Sequence, residues 1–353
     1  MHSQLVLALF LVAGLGGFAR SPEAPPQDLP KDPRAIFAVA APFYDFNDPT
    51  LKPWHFKATY QLYDGQGKPT EQGTFEYWWA SPKVYRSTWT RPGGSHTDWY
   101  TADGKHAYLS TGEGPSFFEY RLRSAFLSPL PEASELDSTS NRLDREEMKL
   151  GTAKMPCVMV VPKMPQHGQL QEVPLGLFPT YCFDPNLPAL RVSYSFGTVT
   201  EGFDAIAKVQ GRYLPKSVLF FEGKRLILTA KLESVEGLSP SDPALTPGVQ
   251  ATYPRIEKVQ VQPSLAIGFL IKKVQPIYPQ DAKDAHVSGK VVLGAIIGRD
   301  GRIHELRVIE APWPSLVASA MWSVSQWTYR PYLLNGEPVE VDTTVNVIYT
   351  LGN

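Results

Sequence analysis

The sequence has few of the features that mark several large protein classes. Its 353 residues include only two cysteines and seven histidines, and 34 Lys and Arg are balanced by 35 Asp and Glu. The net charge of −1 provides no overall field to attract nucleic acid or an anionic membrane. The chain has one short hydrophobic run near the N-terminus, and no other stretch could span a bilayer. The composition therefore argues against a polyanion-binding or polytopic membrane protein.

What the chain does contain is typical of a folded, strand-rich protein. Hydrophobic residues make up 43% of it and charged residues 20%, which is enough to bury a core and too apolar for a disordered tail. Its 33 prolines and 27 glycines separate many short segments, as they do in β-rich proteins. At about 100–200 residues per domain, the length predicts two domains.

The N-terminus resembles a secretory signal. Residues 5–17 are apolar and small, and the sequence GFA at residues 17–19 offers a small-x-small cleavage site before Arg20. The run is shorter than the ~17–25 residues of a spanning helix, so residues 1–19 are predicted to be a cleaved signal peptide that exports the chain. No Lys or Arg precedes the run, and an uncleaved anchor remains the alternative. No cysteine near the site could carry a lipid.

Export would place the two cysteines in an oxidising compartment. Cys157 and Cys182 are then expected to form a structural disulfide, which over 25 residues is worth roughly 3 kcal/mol in the chain-entropy model. A redox pair is the alternative, but the Cys-x-x-Cys spacing is absent.

Residues 30–236 are predicted to form an antiparallel β-rich domain. Asp32 and Pro33 suit the start of one short helix over residues 32–46, which Pro42 would end. Apolar and polar residues then alternate through five strands between residues 54 and 108, joined by turns too short for anything but an antiparallel meander. Two more strands surround the turn at residues 222–224, beyond the proline-rich middle that contains the cysteines.

Aromatic residues are concentrated between residues 54 and 120. Large rings at alternating positions fill the core over a curved sheet, and this is the favoured interpretation. The alternative is an apolar concavity that carries a lipid.

Residues 237–265 are rich in Pro, Ser and Gly and are predicted to be a linker of moderate stiffness to a second domain, residues 266–353. There an apolar strand, the turn GRDG at residues 298–301 and a returning strand precede a helix that begins near Pro314. Asn335-Gly336 predicts a hairpin, and residues 339–349 alternate as a final strand. The overall fold class is α+β, with one helix packed on this second antiparallel sheet. Trp327 lies on the helix's apolar stripe, whereas Trp322 lies off it and could anchor a partner.

Three kinds of motif that could suggest a phosphate-binding, metal or catalytic site are better explained as structural features. The sequence GQGKPT at residues 65–70 imitates a phosphate loop, but a proline and a strand follow where a helix is needed, so no cofactor is predicted. The histidines form no paired ligand motif, and no metal site is predicted. His96 with Asp98, and Asp103 with His106, are interpreted as polar residues near turns, so no catalytic residues are predicted and the protein is expected not to be an enzyme.

The last ninety residues resemble the C-terminal domain of the TonB family. The motifs that carry the resemblance are, in order, YP (278–279), GKVV (289–292), GRDGRI (298–303), LRV (306–308), LVASA (316–320), QWTYRP (326–331) and NGEPV (335–339).

The resemblance implies a periplasmic domain that binds an extended peptide from an outer-membrane transport receptor as an additional strand. The last strand would be the docking edge, through Val341, Thr343, Val345, Val347 and Tyr349. TonB-type energy transducers carry an N-terminal anchor and a long proline-rich spacer. Here a short signal-like run stands in place of the anchor, and a folded domain stands in place of the spacer. Because of these two differences, a membrane-anchored transducer is only an alternative. A homodimer through the C-terminal domain also remains open.

The N-terminal domain is similar, more faintly, to the LolA-type lipoprotein-carrier fold, an open half-barrel around an apolar cavity. The resemblance rests on the early helix, the aromatic meander and the later returning strands. It implies that the domain carries lipid or lipoprotein, which is the second functional hypothesis.

Overall fold

The computed structural model describes residues 29–112, 117–139, 141–150, 153–163, 175–176, 178–195, 199–253, 258–334 and 337–351. The predicted signal peptide and the Asn335-Gly336 hairpin lie outside the described residues. In the part that is described, no helix is both long enough and apolar enough to cross a membrane.

The first helix, α1 (Pro33–Ala40), begins as the sequence predicts. The Asp32 side chain accepts hydrogen bonds from the backbone N–H groups of Arg34 and Ala35, and Pro33 occupies the first turn, where a missing N–H costs nothing. The helix is shorter than predicted and tightens into a 3₁₀ turn at Ala41–Phe43.

The aromatic meander follows as predicted. Its strands are β1 (Trp54–Tyr63), β2 (Pro69–Ser81), β3 (Val84–Arg91), β4 (Gly94–Tyr100) and β5 (His106–Gly112). Each pairs antiparallel with the next. The sequence at residues 65–70, which resembles a phosphate loop, contributes to the turn between β1 and β2 and to the start of β2.

A helix and seven more strands extend this sheet. They are α2 (Phe117–Leu127), β6 (Asn141–Leu150), β7 (Ala153–Pro162), β8 (Thr180–Phe183), β9 (Leu190–Ser195), β10 (Val199–Val209), β11 (Arg212–Glu222) and β12 (Arg225–Gly237). Since β12 pairs with β1, the order is β5-β4-β3-β2-β1-β12-β11-β10-β9-β8-β7-β6. The sheet is open, with β5 and β6 at its edges.

The predicted disulfide is confirmed. Cys157 and Cys182 are directly opposite each other on β7 and β8, with Cα atoms 3.9 Å apart. Both side chains are completely buried. The bridge thus joins two neighbouring strands in the part of the sheet where the sequence predicted little structure.

The C-terminal part is a smaller unit of strands and helices. Its elements are β13 (Lys258–Gln260), α3 (Pro263–Ala266), β14 (Leu270–Lys272), α4 (Gln280–Asp284), β15 (Gly289–Ile297), β16 (Ile303–Glu310), α5 (Pro314–Val324), β17 (Thr328–Tyr329), β18 (Tyr332–Leu334) and β19 (Glu337–Tyr349). Its main sheet has the order β13-β19-β15-β16, and β18 also pairs with β19. The predicted strand–turn–strand, helix and final strand are all present.

Helix α5 lies on one face of this sheet. Leu316, Val317 and Ala320 are fully buried, as are Val291 and Leu293 of β15. Trp327 is 4% exposed, as its place on the stripe predicts, and its Nε1 donates to the carbonyl of Val274 at 2.9 Å. This hydrogen bond holds the segment around Val274, which precedes α4, next to the C-terminal end of α5.

The predicted linker contacts the large sheet near its start and pairs with β19 of the C-terminal part, through β13, near its end. The carbonyl of Ala244 accepts a hydrogen bond from Trp99 Nε1 at 2.9 Å, and Thr252 forms a bridge with Tyr108. Met159 and Val161 of β7 belong to the same buried cluster as the C-terminal core. The two predicted domains therefore share apolar packing, and the boundaries assigned to them remain a prediction.

Candidate functional site

The last strand, β19, forms the centre of the candidate docking site. From residue 341 to residue 349 it pairs antiparallel with residues 297–289 of β15. Alternate side chains along it face α5 and are buried, namely those of Val341, Thr343, Val345, Val347 and Tyr349. Tyr349 also donates its hydroxyl to the carbonyl of Leu316, which fixes the end of the strand to the helix.

The backbone of β19 shows which residues can receive a further strand. Each residue of a strand directs its N–H and C=O to one flank, and the next residue directs them to the other. The carbonyl of Asp342 accepts a hydrogen bond from the N–H of Val261, so Asp342 faces away from β15. By the same alternation Thr344, Asn346 and Ile348 also face away from β15.

This outer flank is occupied over only part of its length. The short strand β13 runs parallel to β19 and covers residues 340–342. Thr343 extends the contact by donating its hydroxyl to the carbonyl of Val261 at 2.7 Å. Among the residues that the structure describes, none pairs with residues 344–349 on this side. Within the described structure no strand pairs with the backbone groups that Thr344, Asn346 and Ile348 direct to this side, although α3 also lies close to β19.

The geometry refines the predicted docking residues. The five residues predicted from the sequence have their side chains in the core and their backbone groups turned toward β15. The backbone groups on the open flank belong instead to Thr344, Asn346 and Ile348. Asn346 is exposed, and the Ile348 side chain is 69% exposed, so a bound peptide would meet their side chains on the solvent face.

A group of ionisable side chains lies on the inner face of the large sheet, where β4 and β5 form its edge. His96 and His106 each place Nε2 on the same carboxylate, 2.9 Å and 2.6 Å from the Asp98 oxygens. The Nδ1 atom of His96 is 2.6 Å from Ser110 Oγ. Both imidazoles lie on strands close to turns, as the sequence predicts, but they are buried and not exposed. Asp103, the expected neighbour of His106, instead pairs with Lys105 on the turn.

Burial and hydrogen bonding set the ionisation of this group. Burial alone would raise the pKa of Asp98, but the hydrogen bonds from His106 and His96 hold it well below its usual range. Burial acts in the opposite sense on His96, yet the bond and charge of Asp98 outweigh it and raise the pKa of the imidazole. Asp98 is thus an anion held between two donors.

Helix α2 adds a second carboxylate to the group. Glu119 is 6% exposed, and neither of its oxygens has a hydrogen-bond partner in the described structure. Burial, and next the charge of nearby Asp98, raises the pKa of Glu119 to about 8, against the lowering influence of His96. Helix α2 was not predicted, although Phe118, Leu122 and Phe126 recur at the four-residue spacing of a helix face.

The C-terminal part reaches the same group through the GRDG turn. Arg299 places Nη2 3.4 Å from His106 Nδ1, and its guanidinium lies 5.6 Å from the ring centre of Tyr108. The turn that carries Arg299 therefore contacts β5 of the large sheet.

The rest of the inner face is filled by aromatic side chains. Trp54, Phe56, Phe75 and Trp89 are at most 1% exposed. Phe126 of α2 covers two of them, with ring centres 5.2 Å from Phe56 and 6.4 Å from Phe75. In the described structure these rings form a core, as the favoured interpretation predicts.

A cavity of about 330 Å³ lies where α2, the chain after it and β16 meet. Its wall includes the ion pair of Arg121 with Glu201, 3.0 Å apart, together with Glu135 and His304. Charged groups of this kind do not suit an acyl chain.

Comparison with known proteins places the C-terminal part. Residues 274–351 match the family model for the Gram-negative bacterial TonB protein C-terminal. The resemblance to this domain is confirmed. The match covers the segment along α5, β15, β16 and the whole of β19. None of the curated proteins matches the chain in sequence.

Solved structures resemble both parts of the chain at low identity. A DUF1329 family protein from Desulfovibrio piger is 14% identical, with a TM-score of 0.38 over 61% of this chain and 100% of its own. A LolA superfamily protein from Nitrosomonas europaea is 8% identical, with a TM-score of 0.33 over 61% and 97% of the two chains. The Pseudomonas aeruginosa TonB C-terminal domain is 22% identical, with a TM-score of 0.22 over 24% of this chain and 86% of its own.

Proposed function

We propose that this protein acts in the periplasm, without catalysis, by binding an extended peptide of an envelope partner on the open flank of β19. The observation that carries the proposal is that Thr344, Asn346 and Ile348 direct backbone groups away from β15. An unpaired strand edge is a template for a further strand. The TonB-like match supports an outer-membrane transport receptor as the class of partner.

The open flank sets the size and strength of the contact. Residues 344–349 span about 20 Å and present three N–H and three C=O groups. At about 0.5–1.5 kcal/mol for each net hydrogen bond, six bonds give about 3–9 kcal/mol before the peptide is ordered. Because about 8 kcal/mol net corresponds to a micromolar dissociation constant, we expect backbone pairing alone to bind no tighter than micromolar, with further affinity and specificity supplied by side chains beside Asn346 and Ile348.

A proline at Asn346 tests the proposal. Proline removes the N–H that faces the open flank and leaves the pairing with β15 intact, because edge strands accept proline where the N–H faces solvent. Asn346→Ala is the matched control, since it removes the side chain and keeps the N–H. Calorimetric titration of the full chain with peptides from receptor N-termini should show at least a 10-fold loss for Asn346→Pro and little loss for Asn346→Ala.

Equal losses in the two variants, with unchanged melting temperatures, would contradict strand addition. A second copy of the chain is the other occupant that this flank could accept. Light scattering that shows a dimer broken by Asn346→Pro would assign the edge to self-association in place of a receptor peptide.

A further inference from the structure

The buried group on β4 and α2 offers three ligand atoms to a cation. One ligand atom each from His96, Asp98 and Glu119 lie within 4.8 Å of one another. His96 and Asp98 are two residues apart on one strand and so point to the same face. Glu119 reaches them from the helix that covers that face.

We propose that His96, Asp98 and Glu119 bind one Zn²⁺ ion, which fastens α2 to the edge of the large sheet. One imidazole nitrogen and two carboxylate oxygens form a donor set that zinc accepts in proteins. Zinc–ligand bonds of about 2.0–2.2 Å place tetrahedral ligands about 3.3–3.6 Å apart, so the side chains need to shift by about 1 Å. Three protein ligands leave one coordination position for water.

Glu119 is the strongest reason to infer an ion. A buried carboxylate normally has hydrogen-bond partners, because removing an unpaired charge from water is costly. Both Glu119 oxygens lack a hydrogen-bond partner in the described part of the chain, while one of them lies within 4.8 Å of the ligand atoms of His96 and Asp98. A dication would displace the proton of Glu119 and hold both Glu119 and Asp98 as ionised ligands.

The neighbours of the three residues suit the supporting roles seen around metal ions. To coordinate, His96 would release the Nε2 proton that it donates to Asp98 and keep the Nδ1 proton, which Ser110 Oγ is placed to accept. His106 can donate from Nε2 to the Asp98 oxygen that points away from His96, which would orient the carboxylate. Arg91 and Arg123 favour the ionised form of Glu119 by their charge, but Glu119 accepts no hydrogen bond from them.

The test uses the full chain after removal of metal with a chelator. We expect one Zn²⁺ per chain by elemental analysis after reloading, and micromolar or tighter binding in competition with a chromophoric indicator. Glu119→Gln should weaken zinc binding at least 30-fold. Its melting temperature without metal should equal or exceed that of the parent, because an amide of the same shape replaces a buried carboxyl group that has no hydrogen-bond partner. Zinc should raise the melting temperature of the parent and not that of Glu119→Gln.

The pair His55 and Glu76 supplies the matched control. Its atoms are 3.2 Å apart on neighbouring strands β1 and β2, with the same chemistry and outside the proposed ligand set. Glu76→Gln should therefore bind zinc like the parent. The proposal is overturned if the parent binds no zinc at 100-fold excess of metal, or if Glu119→Gln and His96→Gln bind it as tightly as the parent does.

Discussion

Strand β13 covers the first part of the flank on which we expect the peptide to bind, and loosening β13 should therefore strengthen binding of a long peptide. Val261 holds this segment in place, since its side chain is 6% exposed and its N–H bonds to the carbonyl of Asp342 at 3.0 Å. Val261→Ala removes two buried carbon groups at about 0.8 kcal/mol each, or about 2 kcal/mol with the cavity left behind. The contact of β13 with β19 weakens by up to that amount.

The effect depends on the length of the peptide. A peptide that covers residues 340–348 must displace β13, so its affinity should rise by up to about 30-fold in Val261→Ala, the equivalent of 2 kcal/mol. A peptide that covers only residues 344–348 leaves β13 in place and should bind as it does to the parent. Calorimetry with two peptides that differ only in length measures the contrast directly.

Leu245→Ala is the control for this experiment. Leu245 is also 6% exposed and lies in the same linker, but in the turn that packs near β3 rather than on β19. It should destabilise the chain without changing either affinity. Equal effects of Val261→Ala on the long and short peptides would refute the reasoning, as would no gain for the long peptide.

Three further predictions concern the two parts of the chain. Replacing Cys157 and Cys182 by alanine should lower the free energy of unfolding by about 3 kcal/mol in urea titrations, because the 25-residue loop is no longer closed; a loss below 1 kcal/mol would contradict this. Gly301→Ala should cost about 3 kcal/mol, since φ is +75° and an added Cβ would meet the Tyr329 carbonyl oxygen at 2.0 Å. Gly104→Ala, with φ +77° and open space, should cost about 1 kcal/mol, and equal losses would show that the contact is irrelevant. Mass spectrometry of the purified chain should find no stoichiometric lipid, because aromatic rings fill the inner face of the sheet; one bound lipid per chain would favour the carrier hypothesis.

Local patterns in the sequence were sufficient to predict the meander and the central elements β15, β16, α5 and β19 of the C-terminal unit. Alternation from Trp54 onward and the turns between strands determine β1–β5, since neighbours in the chain are also neighbours in the sheet. The GRDG turn and the apolar stripe on α5 act in the same way. Where strands are joined through long segments, as between β7 and β8, the pattern is weak and the order depends on tertiary contacts.

The candidate sites depend on features that one sequence does not contain. The pairing of β19 with β13 shows which residues of β19 direct their backbone groups outward. Strand β13 has only three residues and lies in a segment that its composition predicted to be a linker. The group at His96 depends on burial by α2, and polar residues in a strand otherwise read as part of a turn. Glu119 comes close only because its helix folds back over β4.

The most direct test of the central claim is amide hydrogen exchange of β19, measured by NMR on the full chain with and without a receptor N-terminal peptide. Without peptide, the outward amides of Thr344, Asn346 and Ile348 should exchange quickly, and those of Val345 and Val347 slowly. Saturating peptide should slow the three outward amides at least 10-fold and leave the other two nearly unchanged. Binding that leaves Thr344, Asn346 and Ile348 in fast exchange would contradict strand addition at this flank.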